Sequence, residues 1–208
     1  VNNFETIGKA YANRKPANER PKGDLYHTPK SLVWVIEDVI KKEFESKVIL
    51  DPCCGKFSMS NEIEKLGFKV ILNDLYNEAT FCKDYLNQDY FNQEKYIISN
   101  PPFSLFDAFV LKSKTHCKKF MYIGKTDFFS AHKRNVIGLW DNLKAVYIFD
   151  RKVDLQTPLR DDGLFHVGMA NHAWFLWDME YKGKPEVTII DIQKYSKLGQ
   201  FKKSVINN

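Results

Sequence analysis

Asn100-Pro101-Pro102-Phe103 follows the apolar run Tyr96-Ile97-Ile98-Ser99, and together the four residues are able to hold an amino group and the flat ring that carries it. The asparagine side chain offers a carbonyl acceptor. Two successive prolines fix the backbone and remove its N–H donors, so the Pro101 carbonyl is presented without competition. Phe103 supplies a face on which a planar base can stack. A strand ending in such a loop puts these groups at the carboxyl edge of a sheet, where open α/β folds bind ligands.

A second constellation lies 49 residues upstream of Asn100. Lys47-Val48-Ile49-Leu50-Asp51 reads as a buried strand, and Pro52-Cys53-Cys54-Gly55 turns it into a helical stretch over 57–66. An acid followed by a glycine between strand and helix is a nucleotide cradle, because glycine lets the backbone approach a ligand closely. Lys69-Val70-Ile71-Leu72-Asn73 is a further strand and ends at Asp74, 23 residues after Asp51. That spacing is near the ~20 residues expected of a ribose-binding carboxylate. Asp51, Asp74 and the Asn100 loop therefore close three strands in succession, all expected at one edge.

The elements that must position these groups follow from periodicity. Thr28 is expected to cap a helix beginning at Pro29, with Leu32, Val35, Ile36, Val39 and Ile40 on its core face. Strands are expected near 47–51, 69–73, 96–100, 119–124 and 144–149, with helices near 57–66, 78–87, 104–116 and 129–139. Ser104 and Asp107 resemble a capping box. This alternation predicts an α/β, doubly wound, mostly parallel sheet. After residue 149 two strands, 173–177 and 187–192, follow without an intervening helix, and the Trp174–Trp177 run is expected in the core. The chain divides into a polar arm over 1–24, a domain over 25–195 and a basic tail over 196–208. Within the domain, residues 150–171 fit neither pattern; a loop of this length is functional or mobile.

In this order Tyr26-His27-Thr28-Pro29, Asp51-Pro52-Cys53-Cys54-Gly55, Asp74, Asp89-Tyr90-Phe91 and Asn100-Pro101-Pro102-Phe103 resemble the motifs of S-adenosylmethionine-dependent amino-methyltransferases, most closely the adenine-N6 DNA methyltransferases. The resemblance covers roughly residues 24–180. It implies a Rossmann-like methyltransferase sheet ending in an antiparallel hairpin, S-adenosyl-L-methionine as cofactor, and direct methyl transfer to N6 of a flipped-out adenine in DNA. It assigns catalysis to Asn100, Pro101, Pro102 and Phe103. Asp51 would meet the methionyl ammonium, Asp74 the ribose hydroxyls, and Asp89 with Tyr90 the adenine, Asp84 being a competitor for Asp89. Tyr26, His27, Thr28 and Pro29 would border the methionine carboxylate, Pro52, Cys53 and Gly55 would form the cofactor loop, and Leu75 would cover the adenine ring. Phe57 stands where many members have a second glycine, so the loop must take another shape here.

The 208 residues carry a net charge of +5, modest for a nucleic-acid binder, but the basic residues are clustered. Those near the expected mouth are Lys125, Lys133, Arg134, Arg151 and Arg160, with Phe129 as a pocket aromatic and 150–171 as a DNA-contacting or lid loop, an exposed connection being the alternative. Four cysteines show no metal-ligand spacing and no disulfide framework, so no metal is expected and a reducing cytoplasm is the natural setting. No apolar run reaches the ~20 residues that span a bilayer, and the first residues carry no secretory signal pattern. His116, His132, His166 and His172 are expected at the surface. The rival readings are an RNA (guanine N2 or adenine N6) or protein-glutamine amino-methyltransferase, and a non-catalytic methyltransferase-like subunit that binds nucleic acid. With so little chain outside the motifs, sequence recognition is expected from short loops or from a separate specificity or restriction partner.

Overall fold

Short β-branched and aromatic runs between helices give a sheet whose central strands are buried on both faces. The computed structural model describes residues 28–75, 81–87, 91, 94–155 and 166–192. Tyr26, His27, Asp89, Tyr90 and Arg160 lie outside them, as do the arm, the tail and the centre of the 150–171 loop. Seven strands form one sheet: β1 (Val48–Asp51), β2 (Lys69–Leu72), β3 (Tyr96–Ser99), β4 (Lys119–Lys125), β5 (Leu143–Phe149), β6 (His172–Asp178) and β7 (Glu186–Ile190). Their order is β2-β1-β3-β4-β6-β5-β7. β1 pairs in parallel with β2 and β3, and β3 with β4, so the expected α/β doubly wound architecture holds.

The last three strands complete the sheet in a less obvious way. β6 runs antiparallel between β4 and β5, while β7 lies parallel to β5 on its outer side. The terminal hairpin is thus split, with β5 inserted between its two arms. Every residue from Ala173 to Trp177 is 0% exposed, and each indole N–H in the run is satisfied: Trp174 donates to the Leu32 carbonyl and Trp177 to that of Leu139, both at 3.0 Å. Burying an aromatic costs little once its polar edge has a partner, and the stack of Trp177 on Phe120 at 4.9 Å adds to the core.

The helices are α1 (Ser31–Trp34), α2 (Glu37–Glu43), α3 (Ser58–Lys65), α4 (Phe106–Lys114) and α5 (His132–Val136), with a 3-10 turn over Thr126–Ser130 ahead of α5. Leu32, Ile36 and Ile40 keep their expected core face, but the helix breaks between α1 and α2. Thr28 is not its cap. Lys30 holds that position without a side-chain bond, because the Thr28 hydroxyl is engaged by Asn100. The capping box expected at Ser104 and Asp107 is displaced: α4 starts after Leu105, which holds the N-cap without a side-chain bond, and Asp107 turns inward to Arg134. The helix expected over 78–87 is absent from its described part, 81–87. There Phe81 bridges Asn73, and the Asn73 amide accepts from the Lys83 N–H and donates to the Lys83 carbonyl, both at 3.0 Å. A side chain that takes both groups of one residue competes directly with the helical ladder.

Candidate functional site

The parallel register delivers the expected convergence. Asp51 is level with Leu72, and Leu50 with Ile97, so Asp51, Asp74 and Asn100 all lie at the carboxyl edge of adjacent strands. β6 runs the other way and contributes its first residue, His172, to the same edge, opposite Lys125 at the end of β4.

Asp51 is 0% exposed and serves as an internal clamp. Its carboxylate accepts from Ser60 Oγ and Ser99 Oγ, each at 2.7 Å, and from the Cys53 N–H at 3.3 Å. Those bonds tie β1, β3, α3 and the intervening loop to one group. An ammonium reaching Asp51 would therefore join a carboxylate that already accepts three bonds. Burial pushes its pKa up to about 6, against the pull of the two serines. Asp74 is nearly buried, and its Oδ2 accepts the Gly55 N–H at 3.0 Å. Asn73 adds a bond from Nδ2 to the Pro52 carbonyl at 3.1 Å, and its own carbonyl accepts the Cys54 N–H at 3.0 Å. The cofactor-type loop is thus laced to the end of β2. Gly55 at φ 50° and Phe57 at φ 63° are both left-handed. Phe57 pays the strain that the missing glycine would avoid, which is how this loop differs in shape. Leu75 is 47% exposed, Pro29 and Pro52 are buried, and Cys53 is half-buried. Burial raises the Cys53 thiol well above its ordinary value, in keeping with a packing residue.

Asn100 is 8% exposed and held by one side only. Its Nδ2 donates to Thr28 Oγ1 at 3.0 Å, while the Thr28 carbonyl accepts from Ser58 Oγ at 3.1 Å, so Thr28 joins the catalytic-type loop to α3. Asn100 Oδ1, in contrast, is one of five buried side-chain polar atoms without a hydrogen-bond partner among the described residues. Leaving such an acceptor unmade costs about 1–3 kcal/mol, and a ligand donor is one way to recover it.

Phe103 is not the open platform expected. It is 6% exposed, with His172 lying flat on it at 5.4 Å and 26°, Phe128 edge-on at 6.4 Å, and Lys125 Nζ 5.6 Å from its centre. A stacking base must share the ring with these groups. His172 itself is 5% exposed, contrary to the expected surface position, and Nδ1 lacks a partner among the described residues. Burial and then the Lys125 charge pull its pKa down to about 4. Sequence reasoning missed His172, Ser60, Ser99 and Asn73; only Ser99 and Asn73, each one residue before an expected site residue, carried any signal.

The expected phosphate contacts separate. Lys125 stands at the mouth and Lys133 is exposed on α5. Arg134 does not reach the surface: it is 3% exposed, bonded through Nε to Asp107 Oδ1 at 2.8 Å and packed over Phe128 at 4.4 Å. Arg151 is partly exposed but forked onto Asp150 and within 3.3 Å of Asp191, which neutralises it locally. Phe129 is 40% exposed and leans on Trp140 and Phe175. No group of three metal-ligating side chains occurs among the described residues, and none of their helices is long and apolar enough to cross a membrane.

The two perturbed groups at this edge predict an unusual response to acid. Asp51 titrates near 6 in the fold against 3.8 in the open chain, so its contribution favours folding below pH 3.8 and is lost as pH rises through 6. His172 titrates near 4 against 6.5, so its contribution is present above pH 6.5 and is lost as pH falls through 4. Each amounts to about 3 kcal/mol and they oppose one another over the same window. Relative to wild type, Asp51→Asn should lose stability on going from pH 6.5 to 4, and His172→Phe should gain it. Urea midpoints at three pH values check both signs; parallel pH profiles for all three proteins would exclude the account.

Neither a family model nor a curated protein matches the chain. Solved structures do. One is a protein named as a candidate RNA methyltransferase from Pyrococcus horikoshii, 18% identical, with a TM-score of 0.52 over 86% of this chain and 98% of that one. Another is the DrdV–DNA complex seen by electron cryomicroscopy, 15% identical, with a TM-score of 0.55 over 96% of this chain. This chain spans only 30% of the DrdV chain's length. The fold is the Rossmann-like methyltransferase fold.

Proposed function

We propose that this chain transfers a methyl group from S-adenosyl-L-methionine to the N6 amino group of adenine in DNA, with the base flipped out of the duplex. The observation that carries the reading is Asn100 Oδ1, a buried acceptor just past the end of β3 that has no donor among the described residues. Thr28 holds the amide by its nitrogen and so leaves the oxygen for a ligand. An incoming amino group would donate to this oxygen and to the Pro101 carbonyl. Two such bonds favour a more tetrahedral nitrogen and stabilise the positive charge that grows on it, an electrostatic and positional effect that needs no covalent intermediate.

The cofactor's residues fit on the side of the nucleoside. Asp74 lies two residues past β2 and accepts from the left-handed Gly55, and Leu75 exposes an apolar side chain able to lie on a base. When bound, S-adenosylmethionine supplies an activated methyl with its own leaving group. Asp51 acts through the loop it clamps. Lys125 and the exposed Lys133 would meet phosphate, with sequence readout from short loops or from a partner. The two structural neighbours described above, one named for RNA and one bound to DNA, favour a nucleic acid over a protein acceptor.

The test is transfer of labelled methyl to DNA, RNA and protein in parallel, followed by nucleoside and amino-acid analysis. N6-methyladenine in DNA is the expected product. Label on guanine, cytosine or glutamine would overturn the adenine assignment, and cofactor binding without any transfer would favour a non-catalytic subunit.

A further inference from the structure

Two buried polar atoms at the carboxyl edge lack partners among the described residues, and Phe103 connects the residues that bear them. Asn100 Oδ1 belongs to the same loop, three residues before Phe103; His172 Nδ1 belongs to a ring lying flat against Phe103 at 5.4 Å. His172 reaches this place by topology. It is the first residue of the antiparallel strand β6, directly across from Lys125, the last residue of β4. Thr126 N–H bonds to the Asn171 carbonyl at 3.0 Å and fixes the backbone just before it. A histidine chosen only for packing could be replaced by an aromatic without a polar atom, and burying an unpartnered ring nitrogen is costly. The nearest charges, Lys125 on β4 and Asp154, are not bonded to Nδ1.

We propose that His172 is a specificity-determining residue that reads the target base through Nδ1, donating to N1 or N7 of the purine whose amino group Asn100 holds. The inference rests on the nucleobase reading above. A neutral imidazole carries one N–H and can place it on Nδ1. Adenine offers acceptor nitrogens on both sides of its amino group. Asn100 accepting from the amino group and His172 donating to a ring nitrogen would read a donor–acceptor pair in the plane of one base. Guanine has oxygen where adenine has the amino group, so the pair would reject it.

The experiment is a cycle between protein and substrate with the full chain. The substrate is a duplex carrying the site methylated in the acceptor assay, its target adenine replaced in turn by 1-deazaadenine and 7-deazaadenine. H172F keeps the stack and removes the nitrogen; H172N places an amide atom near the position of Nδ1. On adenine, H172F is expected to lose roughly 10-fold or more in kcat/KM, with cofactor affinity unchanged, and H172N to regain most of that loss. On the one deaza base that lacks the contacted nitrogen, wild type and H172F should become equal. An H172F penalty of the same size on all three bases would overturn the proposal, leaving His172 as a support for Phe103. A wild-type chain that methylates no nucleobase would remove the functional reading and this inference together; one that methylates adenine while H172F matches it removes the inference alone.

Discussion

Asn100→Ala is expected to lower methyl transfer by about 100- to 1,000-fold, the range seen when one preorganised partner of a developing charge is removed. The fold should survive. Among the described residues Asn100 makes one side-chain bond, to Thr28, while its oxygen is a buried acceptor without a partner, whose deletion relieves a cost. Thermal midpoints within a few degrees of wild type are therefore expected alongside the loss of activity. Asn100→Asp sharpens the result. It keeps an acceptor oxygen and gives up the Nδ2 donor to Thr28, so it should retain more activity than alanine. Asp74→Ala should show the opposite division, weakening cofactor binding through the loss of a carboxylate that also holds the Gly55 N–H. Near-normal turnover by Asn100→Ala, measured as initial rate at saturating cofactor, would remove the catalytic assignment of the loop.

What the sequence made legible were the features whose chemistry is local. Strand and helix periods, the acid-to-glycine turn after β1, and the Asn-Pro-Pro-Phe loop depend on neighbouring residues, and the parallel register then brings them to one edge. What stayed hidden depends on pairs far apart in the chain. Thr28 looks like a helix cap until Asn100, 72 positions away, takes its hydroxyl. Asp107 looks like part of a capping box until Arg134 arrives from α5. His172 reads as a surface residue because nothing near it shows that β6 will insert antiparallel between β4 and β5 and carry it onto Phe103. Segment 81–87 looked helical because the amide of Asn73 has no helical signature of its own. In each case the neighbour that decides the place of a polar side chain comes from elsewhere in the chain, and one-dimensional patterns are silent on that choice.

Arg134→Met should destabilise the protein by about 3–5 kcal/mol, the cost of leaving one member of a buried ion pair uncompensated. Arg134 and Asp107 are 3% and 1% exposed, and Asp107 Oδ2 has no partner among the described residues. Burial raises the Asp107 carboxyl despite the opposing pull of Arg134, so removing the guanidinium must raise it further. The sign of the pH effect follows. A carboxyl whose folded pKa exceeds its open-chain value favours the fold when protonated, so the penalty of Arg134→Met should shrink as pH falls and grow above neutrality. Adding Asp107→Leu removes the stranded charge and should recover most of the loss, since an apolar pair of similar volume often replaces a buried ion pair at no net cost. Urea unfolding of the two single variants and the double variant measures the coupling. The same variants decide whether Arg134 also meets phosphate in the DNA complex proposed for this chain. A guanidinium bonded to phosphate would, on removal, lower the slope of log affinity against log salt by about one. Because this guanidinium is spent on Asp107 and on the Phe128 carbonyl at 3.3 Å, the double variant should bind DNA with the wild-type slope. A shallower slope would return Arg134 to the surface role its position in the sequence suggests. An unchanged one leaves it bracing Phe128, and through Phe128 the ring of Phe103.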